Sequence, residues 1–494
     1  MVDNREGIKA CGIEASGLAG RLTLCRYDRG LGTRMMRNEG AHKAGRVFIE
    51  CTHLYQHNFN TGIQRVVRNL ACLGGKEGRA IGLEVVPVVV TSAGLATVSP
   101  EELARDRSSA AVRAWARVRK SLIGLLPRGA RATHDEIGAG ERAGLAWRVL
   151  SGAKRSVVWC VLALRRLYER GLLFLRAVAL HGKHVAPREG DVLLLADASW
   201  KADVLWRHAS AWRARGARVG LVVYDLIPIV TPEFSANLLV APFEKYMRRA
   251  AAETDFAVAI SRHSAREFRA FAEKSGAPGW SEERAGWFRL GADESASGQT
   301  RASDDARLVM EKLGARPVYL AVGTLEVRKN HGVLLDAFDE LWKRGRDVAL
   351  VIIGNYGWKS QEIARRIQAH PEFEKRLFWF TKATDADLES WYRRAHTVIM
   401  ASLAEGFGLP VVEALVRGRP VIASDIPTHH EIAEGFVEFF DPRRSDALVD
   451  AVERDLRGET AREVSGYRWP GWPEGVRECL NECARMAGLG KRPS

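Results

Sequence analysis

At 494 residues the chain is too long for one hydrophobic core, so two domains are the expectation, and its 46% hydrophobic content is enough to fill them. Seven cysteines with no framework spacing exclude a disulfide scaffold, and the one close pair, Cys479 and Cys483, has no second pair to complete a tetrahedral zinc site. The net charge is +14, but with no zinc-finger spacing and no RNP-type aromatic motif, nucleic acid is not an expected partner.

Residues 1 to about 44 are polar and glycine-rich with no sustained period, and read as a poorly ordered tail. The opening MVDNREGIKACGIEASG lacks a basic-then-apolar leader, which makes the cytoplasm the expected compartment. Val47-Phe48-Ile49 begins an N-terminal domain expected over residues 45–295. In the following stretch, Thr61 to Leu70, residues Ile63, Val66, Val67 and Leu70 fall at helical spacing behind Gly62. Val85–Val90 is a short apolar run suited to a strand buried on both faces.

An insertion from about 100 to 188 breaks the strand–helix rhythm. Residues 101–190 carry 18 Lys/Arg against 8 Asp/Glu, so most of the excess charge sits there. Residues 154–180 read as a long helix. At 100° per residue, Lys154, Arg155, Arg165, Arg166, Glu169, Arg170 and Arg176 share one sector, and residues such as Val157, Trp159, Leu162, Leu172, Leu173 and Phe174 fill the rest. Arg165 and Arg166 interrupt the apolar run well short of the roughly 20 residues a span requires. The segment suits either a helix lying on an anionic inner-membrane surface or an ordinary helix packed on its domain with its arginines in water.

Strands are expected again at Asp191–Leu195, at Val219–Tyr224 (running into Asp225-Leu226-Ile227-Pro228) and at Phe256–Ile260, which ends at Ser261. Gly291 to about Arg316 is polar and irregular and reads as an interdomain linker. A second alternating series fills a C-terminal domain at 296–460. Its strands are Val318–Val322, Ala349–Ile353, Leu377–Phe380, Thr397–Met400 and Pro420–Ala423. Its helices are Val333–Lys343, Ser360–Ala369, Asp387–Ala395, Pro410–Val416 and a short one from His430. Residues 461–494, with Trp469, Trp472 and a helix Glu474–Met486, are expected to return to the N-terminal domain, the tryptophans as packing anchors. The fold class is therefore α/β: two Rossmann-like, doubly wound parallel sheets facing across a cleft, with ligands beyond the carboxyl ends of the strands.

Those strand ends carry the chemistry. After strand 318–322 come Gly323, Thr324, Leu325, Glu326, Val327, Arg328, Lys329 and Asn330. The glycine permits close approach, and the two cations are able to clamp a diphosphate, although a solvated turn with two surface cations has the same sequence. After strand 349–353 comes a second glycine-rich turn with Tyr356 and Trp358. After strand 397–400 comes Glu405-Gly406-Phe407-Gly408-Leu409-Pro410-Val411-Val412-Glu413. Pro410 suits a first helical turn, whose free amides attract anions. Glu405 and Glu413 are placed to accept hydroxyls of a sugar and of a ribose; alternatively, Glu413 only complements the helix dipole. No Asp-x-Asp triplet sits at a strand end, and Asp304-Asp305 lies in the linker, so no metal site is expected.

The two glutamates with seven residues between them resemble the signature of retaining glycosyltransferase family 4, which has the GT-B fold. Val322 to His331 resembles that family's phosphate-binding segment, and the likeness continues through Pro427-Thr428-His429-His430-Glu431 and Phe440-Asp441-Pro442. In the N-terminal half, Thr61 to Val67, Tyr224 to Pro228 and Ala259 to Ser264 are similar to mannosyl- and rhamnosyltransferases of bacterial surface polysaccharides. The resemblance implies that Arg328 and Lys329 bind the donor diphosphate, with Gly323 and Thr324 at the same turn. It implies that Glu405 holds the transferred sugar with the amides of Phe407, Gly408 and Leu409, that Gly406 belongs to the same donor-binding loop, that Glu413 takes the ribose, and that Gly62 approaches the phosphates. Glu405, Lys329 and Arg328 would then be the catalytic set.

Two departures stand out. Thr324 replaces the arginine that often follows the glycine in the family, and Tyr224 replaces a histidine, so no catalytic histidine is assigned. The implied reaction is transfer of a hexose, first of all mannose from GDP-mannose, with retention and without metal or cofactor. The implied acceptor is a polyprenyl-linked glycan or a polysaccharide in lipopolysaccharide O-antigen or capsule assembly. The rivals are a nucleotide-sugar epimerase of the same architecture, which would turn over donor without acceptor, and a non-catalytic membrane- or glycan-binding protein.

Overall fold

The computed structural model describes residues 45–56, 61–104, 170–200, 203–292, 301–459 and 464–489. The tail at 1–44 and most of the basic insertion, including 154–169, lie outside the described residues.

The N-terminal sheet grows from strands whose alternate residues enter two cores. In β1 (Gly45–Glu50), Val47 and Ile49 pack on one side and Phe48 on the other, all of them buried. β2 (Leu83–Val90), β4 (Val192–Leu195), β5 (Arg218–Val223), β6 (Phe256–Ala259) and β7 (Ala285–Trp287) run parallel to it, and β3 (Leu95–Thr97) pairs antiparallel with β2 at the edge. The order is β3-β2-β1-β4-β5-β6-β7. β3 and β7 are three residues each, too short to show a period in the sequence. The long helix between β1 and β2 runs from Gly62 to Ala80, ten residues beyond the periodic stretch. Its second half continues through glycines because it lies hard against β2: a Cβ on Gly78 would sit 2.4 Å from Val85 Cγ2.

The described end of the basic insertion, 170–179, is helical. Arg176 does not belong to a solvated basic stripe. It is buried, lies over the Tyr55 ring and donates to Val90 O at 2.9 Å, so a carbonyl at the sheet end takes the charge expected on the surface. Phe174, Leu175 and Val178 instead face solvent.

The second sheet is β8 (Val318–Val322), β9 (Ala349–Ile353), β10 (Leu377–Phe380), β11 (Thr397–Met400), β12 (Val421–Ser424) and β13 (Glu438–Phe440). All pairs are parallel, in the order β10-β9-β8-β11-β12-β13. Every residue from Ala349 to Ile353 is buried, as a strand covered by helices on both faces requires. The segment read as an irregular linker contains a helix, Asp304–Leu313. Ser303 caps it by accepting from Ala306 N, Asp304 and Asp305 suit its first turn, and Ala306 and Leu313 are buried. Its two-sided polar sequence concealed a narrow apolar stripe.

The last helix, Trp472–Ala487, packs on the first half of the molecule, against the helix Gly62–Ala80 and strands β6 and β7. Arg477 donates to Glu77 at 2.6 Å. Trp472 is buried against Gly291, and Trp469 donates its indole N–H to Leu290 O at 2.7 Å, so both act as anchors. Cys479 and Cys483 are free, buried thiols. Among the described residues no helix is long and apolar enough to cross a membrane.

Candidate donor site at the switch point of the second sheet

In the second sheet the chain winds outward in one direction from β8 to β9 and in the other from β11 to β12, so a crevice opens between the carboxyl ends of β8 and β11. Both motif loops leave from there. Leu403 N donates to Arg328 O at 2.7 Å and ties the loops together, while Leu325 exchanges hydrogen bonds with Asn355 O and Gly357 N of the turn after β9. Tyr356 and Trp358 stand exposed on that rim. Gly323 and Thr324 form the turn itself, and Arg328 and Lys329 occupy a single 3-10 turn, Val327–Lys329, which aims both cations at the second loop.

There they meet Glu405. Arg328 Nη1 donates to Glu405 Oε2 at 2.7 Å, Lys329 Nζ donates to Oε1, and Ser402 Oγ adds a third bond to Oε1 at 2.6 Å. Arg328 also reaches Glu326 Oε2 at 2.9 Å. All three charged groups are largely buried, so each is priced by desolvation and by its partners. Burial works to raise the Glu405 carboxyl, but Lys329 and Arg328 outweigh it and hold it far below the usual carboxylate range. Burial lowers the Lys329 ammonium despite Glu405, while for Arg328 the desolvation cost is overcome by Glu405, Glu326 and Asp225, which fix its positive charge. The result is two oriented cations around an ionised carboxylate at the mouth of a parallel sheet.

Glu413 lies one turn into the helix Leu409–Val416, which has Gly408 at its N-cap with φ +105° and Pro410 in the first turn. It is buried. Tyr392 OH donates to its Oε2 at 2.9 Å, and Oε1 is bonded by Arg65 Nη1 from the N-terminal helix Gly62–Ala80. Gly62 itself stands exposed at the start of that helix.

The Glu405–Leu409 loop also carries the seam between the two halves. A Cβ on Gly406 would lie 2.4 Å from Tyr224 O, so only glycine lets the loop touch the end of β5. Gly406 O accepts from Ser261 Oγ at 2.8 Å, and Glu431 accepts from the first amides of the helix Arg262–Lys274: Arg262 N at 2.6 Å and His263 N at 3.0 Å. An anionic side chain from one half thus caps a helix of the other. Asp225, beneath Gly406, is pushed up to about 6 by burial, with Arg328 opposing. Phe407 is buried with its ring edge-on to Trp469. His429, behind Gly408, is pushed down to about 4 by burial, and its Nε2 has no hydrogen-bond partner.

The structure therefore brings Arg328, Lys329 and Glu405 into direct contact, with Gly406 to Leu409 next to them. Glu413 is joined to the N-terminal half through Arg65. Tyr224 turns its hydroxyl to Ala196 O at 2.6 Å and contributes only its carbonyl to the seam. Sequence reasoning did not single out Arg65, Asp225, Ser261, Tyr392, Ser402 or Glu431 for these positions. Most stood inside the quoted motifs, but no periodicity reports a contact between residues 348 apart.

The family described as glycosyl transferases group 1 matches residues 305–468, the segment that contains the two loops and both glutamates. Residues 305–468 thus resemble a group 1 glycosyltransferase domain. The serotype-specific mannosyltransferase WbdA of Escherichia coli is 34% identical over 318 residues, covering 61% of this chain and 38% of WbdA. The O-antigen chain mannosyltransferase B of the same species is 30% identical over 150 residues, 30% of this chain and 39% of that protein. The chain thus spans well under half of the curated relatives it matches. Among solved structures, a sucrose-phosphate synthase of Thermosynechococcus elongatus aligns with 90% of this chain and 97% of its own at 16% identity and TM-score 0.54. HepE of Anabaena, solved with UDP and glucose, aligns with 90% and 99% at 14% identity and TM-score 0.52. The fold is GT-B, with both sheets present.

Proposed function

We propose that the protein transfers a hexose from a nucleotide sugar to a glycan acceptor, with retention, in the assembly of a bacterial surface polysaccharide. The observation that carries this reading is the contact of Arg328 and Lys329 with Glu405 at the β8/β11 crevice, inside the segment that resembles a group 1 glycosyltransferase domain. Cleavage of the anomeric bond leaves its electron pair on the nucleoside diphosphate, and two cations already held in place stabilise that charge without reorganising. Glu405 orients the sugar hydroxyls, Glu413 the ribose. The acceptor oxygen bonds to the anomeric carbon from the face the diphosphate leaves, and its proton passes to the departing phosphate oxygen. Arg328 and Lys329 supply the positive charge, so no metal is needed.

Mannose from GDP-mannose is the proposed donor, supported by the mannosyltransferases among the relatives, and a polyprenyl-linked or polysaccharide O-antigen or capsule glycan is the proposed acceptor. The test is transfer of label from GDP-mannose, in EDTA, into a glycolipid extract of a polysaccharide-producing bacterium. Incorporation by the wild type and its loss in Lys329→Ala are expected; no incorporation from any sugar nucleotide would overturn the reading.

Peripheral contact with an anionic inner-membrane surface through 154–180 belongs to the same proposal. It is supported by the exposed Phe174, Leu175 and Val178 beside a strongly basic segment. Co-sedimentation with anionic vesicles is expected to drop on Phe174→Asp/Leu175→Asp; unchanged binding would remove this helix from the interface.

A further inference from the structure

Among the described residues, Arg65 is the N-terminal side chain bonded to Glu413, and the pair is asymmetric. The Glu413 side chain is 5% exposed and pinned by Tyr392, whereas Arg65 is 31% exposed and sits in the first turn of its helix. The carboxylate is thus the fixed partner and the guanidinium the movable one. In that same position the Arg65 guanidinium lies 5.5 Å from the centre of the Trp472 ring, a contact that does not depend on the carboxylate. Tyr392 holds one carboxylate oxygen and Arg65 the other. A vicinal diol bound side-on to a carboxylate also uses both oxygens.

We propose that Arg65 is an exchangeable positioning residue for the donor: it and the ribose of a nucleoside diphosphate compete for Glu413 Oε1. Ribose entry moves the guanidinium off the carboxylate and so signals donor occupancy to the helix Gly62–Ala80 in the opposite half. The pairing also spares Glu413 from being a buried charge without a partner whenever ribose is elsewhere. This rests on the reading of Glu413 as the ribose carboxylate, and the test separates the two.

The experiment is calorimetric titration of the full chain with GDP and UDP, each against its 2′,3′-dideoxy counterpart, for wild type, Arg65→Ala, Glu413→Gln and the double variant. Arg65→Ala is expected to tighten the ribonucleotide by about two- to fivefold, the range set by a partly exposed ion pair. It should leave the dideoxynucleotide unchanged and have no effect in the Glu413→Gln background. A merely structural Arg65 gives the reverse sign, weakening both ligands alike, and that result overturns the inference. If Glu413→Gln binds ribo- and dideoxynucleotides as the wild type does, the ribose reading itself fails. Should Arg65→Ala be loosened in its fold, the Glu413→Gln pair still decides, because a competition effect vanishes there and a packing effect persists.

Discussion

Glu405 is held by two cations and a hydroxyl, and this small network fixes the charge of the crevice. Because its folded pKa is depressed, the stability it contributes is present above the unfolded carboxylate value and is lost only as the pH falls toward the folded one. Glu405→Gln leaves Lys329 buried without its bonded carboxylate and Arg328 with Glu326 alone. Breaking a buried pair costs about 3–5 kcal/mol, and a loss of that order is expected in urea denaturation at neutral pH. An unchanged midpoint would mean that the cations reach solvent. The charges at 328, 329 and 405 were legible in the sequence because they follow apolar runs and flank glycines. Their mutual contact was not, since it depends on β8 and β11 being neighbours across a crossover.

At the scale of elements, long buried runs such as Ala349–Ile353 declare themselves, whereas three-residue strands and capped polar helices do not. Asp304–Leu313 illustrates the second case: its helix rests on the Ser303 cap and on two buried residues, too little for an apolar pattern. The Glu405–Leu409 loop is an element through which the two halves touch. Gly406→Ala would drive a methyl group into Tyr224 O and lift the loop from Ser261. The expected result is a fall in transfer rate of tenfold or more in order of magnitude, from a displacement of roughly 1 Å at the crevice. Retention of full rate in a steady-state assay would place the seam outside the catalytic cycle.

The whole molecule carries a second pair of buried carboxylates, at the switch point of the first sheet. Glu50, at the end of β1, accepts from Thr52 N at 2.8 Å and from Ser199 Oγ; Asp197, after β4, accepts from Leu54 N and Ala198 N at 2.7 Å. Burial, helped by Asp197, pushes Glu50 up to about 7. A raised acid means that the folded state binds the extra proton, so its contribution is complete below the unfolded value of 4.5 and is lost as the pH rises toward 7. Glu50→Gln keeps an acceptor there without the charge, and the decline in melting temperature from pH 5 to 7 is expected to flatten. An unchanged slope would assign it to other groups. Neither residue was visible as a site in the sequence, because single acids 147 positions apart form no motif.

Thermal unfolding in the presence of nucleotides reports on the proposed nucleotide-sugar site built on Lys329, Arg328 and Glu405. The panel is GDP, UDP, ADP and dTDP, each with and without EDTA, on wild type and Lys329→Ala. A ligand bound only by the folded state at 100 times its dissociation constant adds about 2.7 kcal/mol, a readable shift. Stabilisation of the wild type by GDP, indifferent to EDTA and much reduced in Lys329→Ala against that variant's own baseline, is the predicted result. No shift with any of the four nucleotides, or an equal shift in the variant, would contradict it.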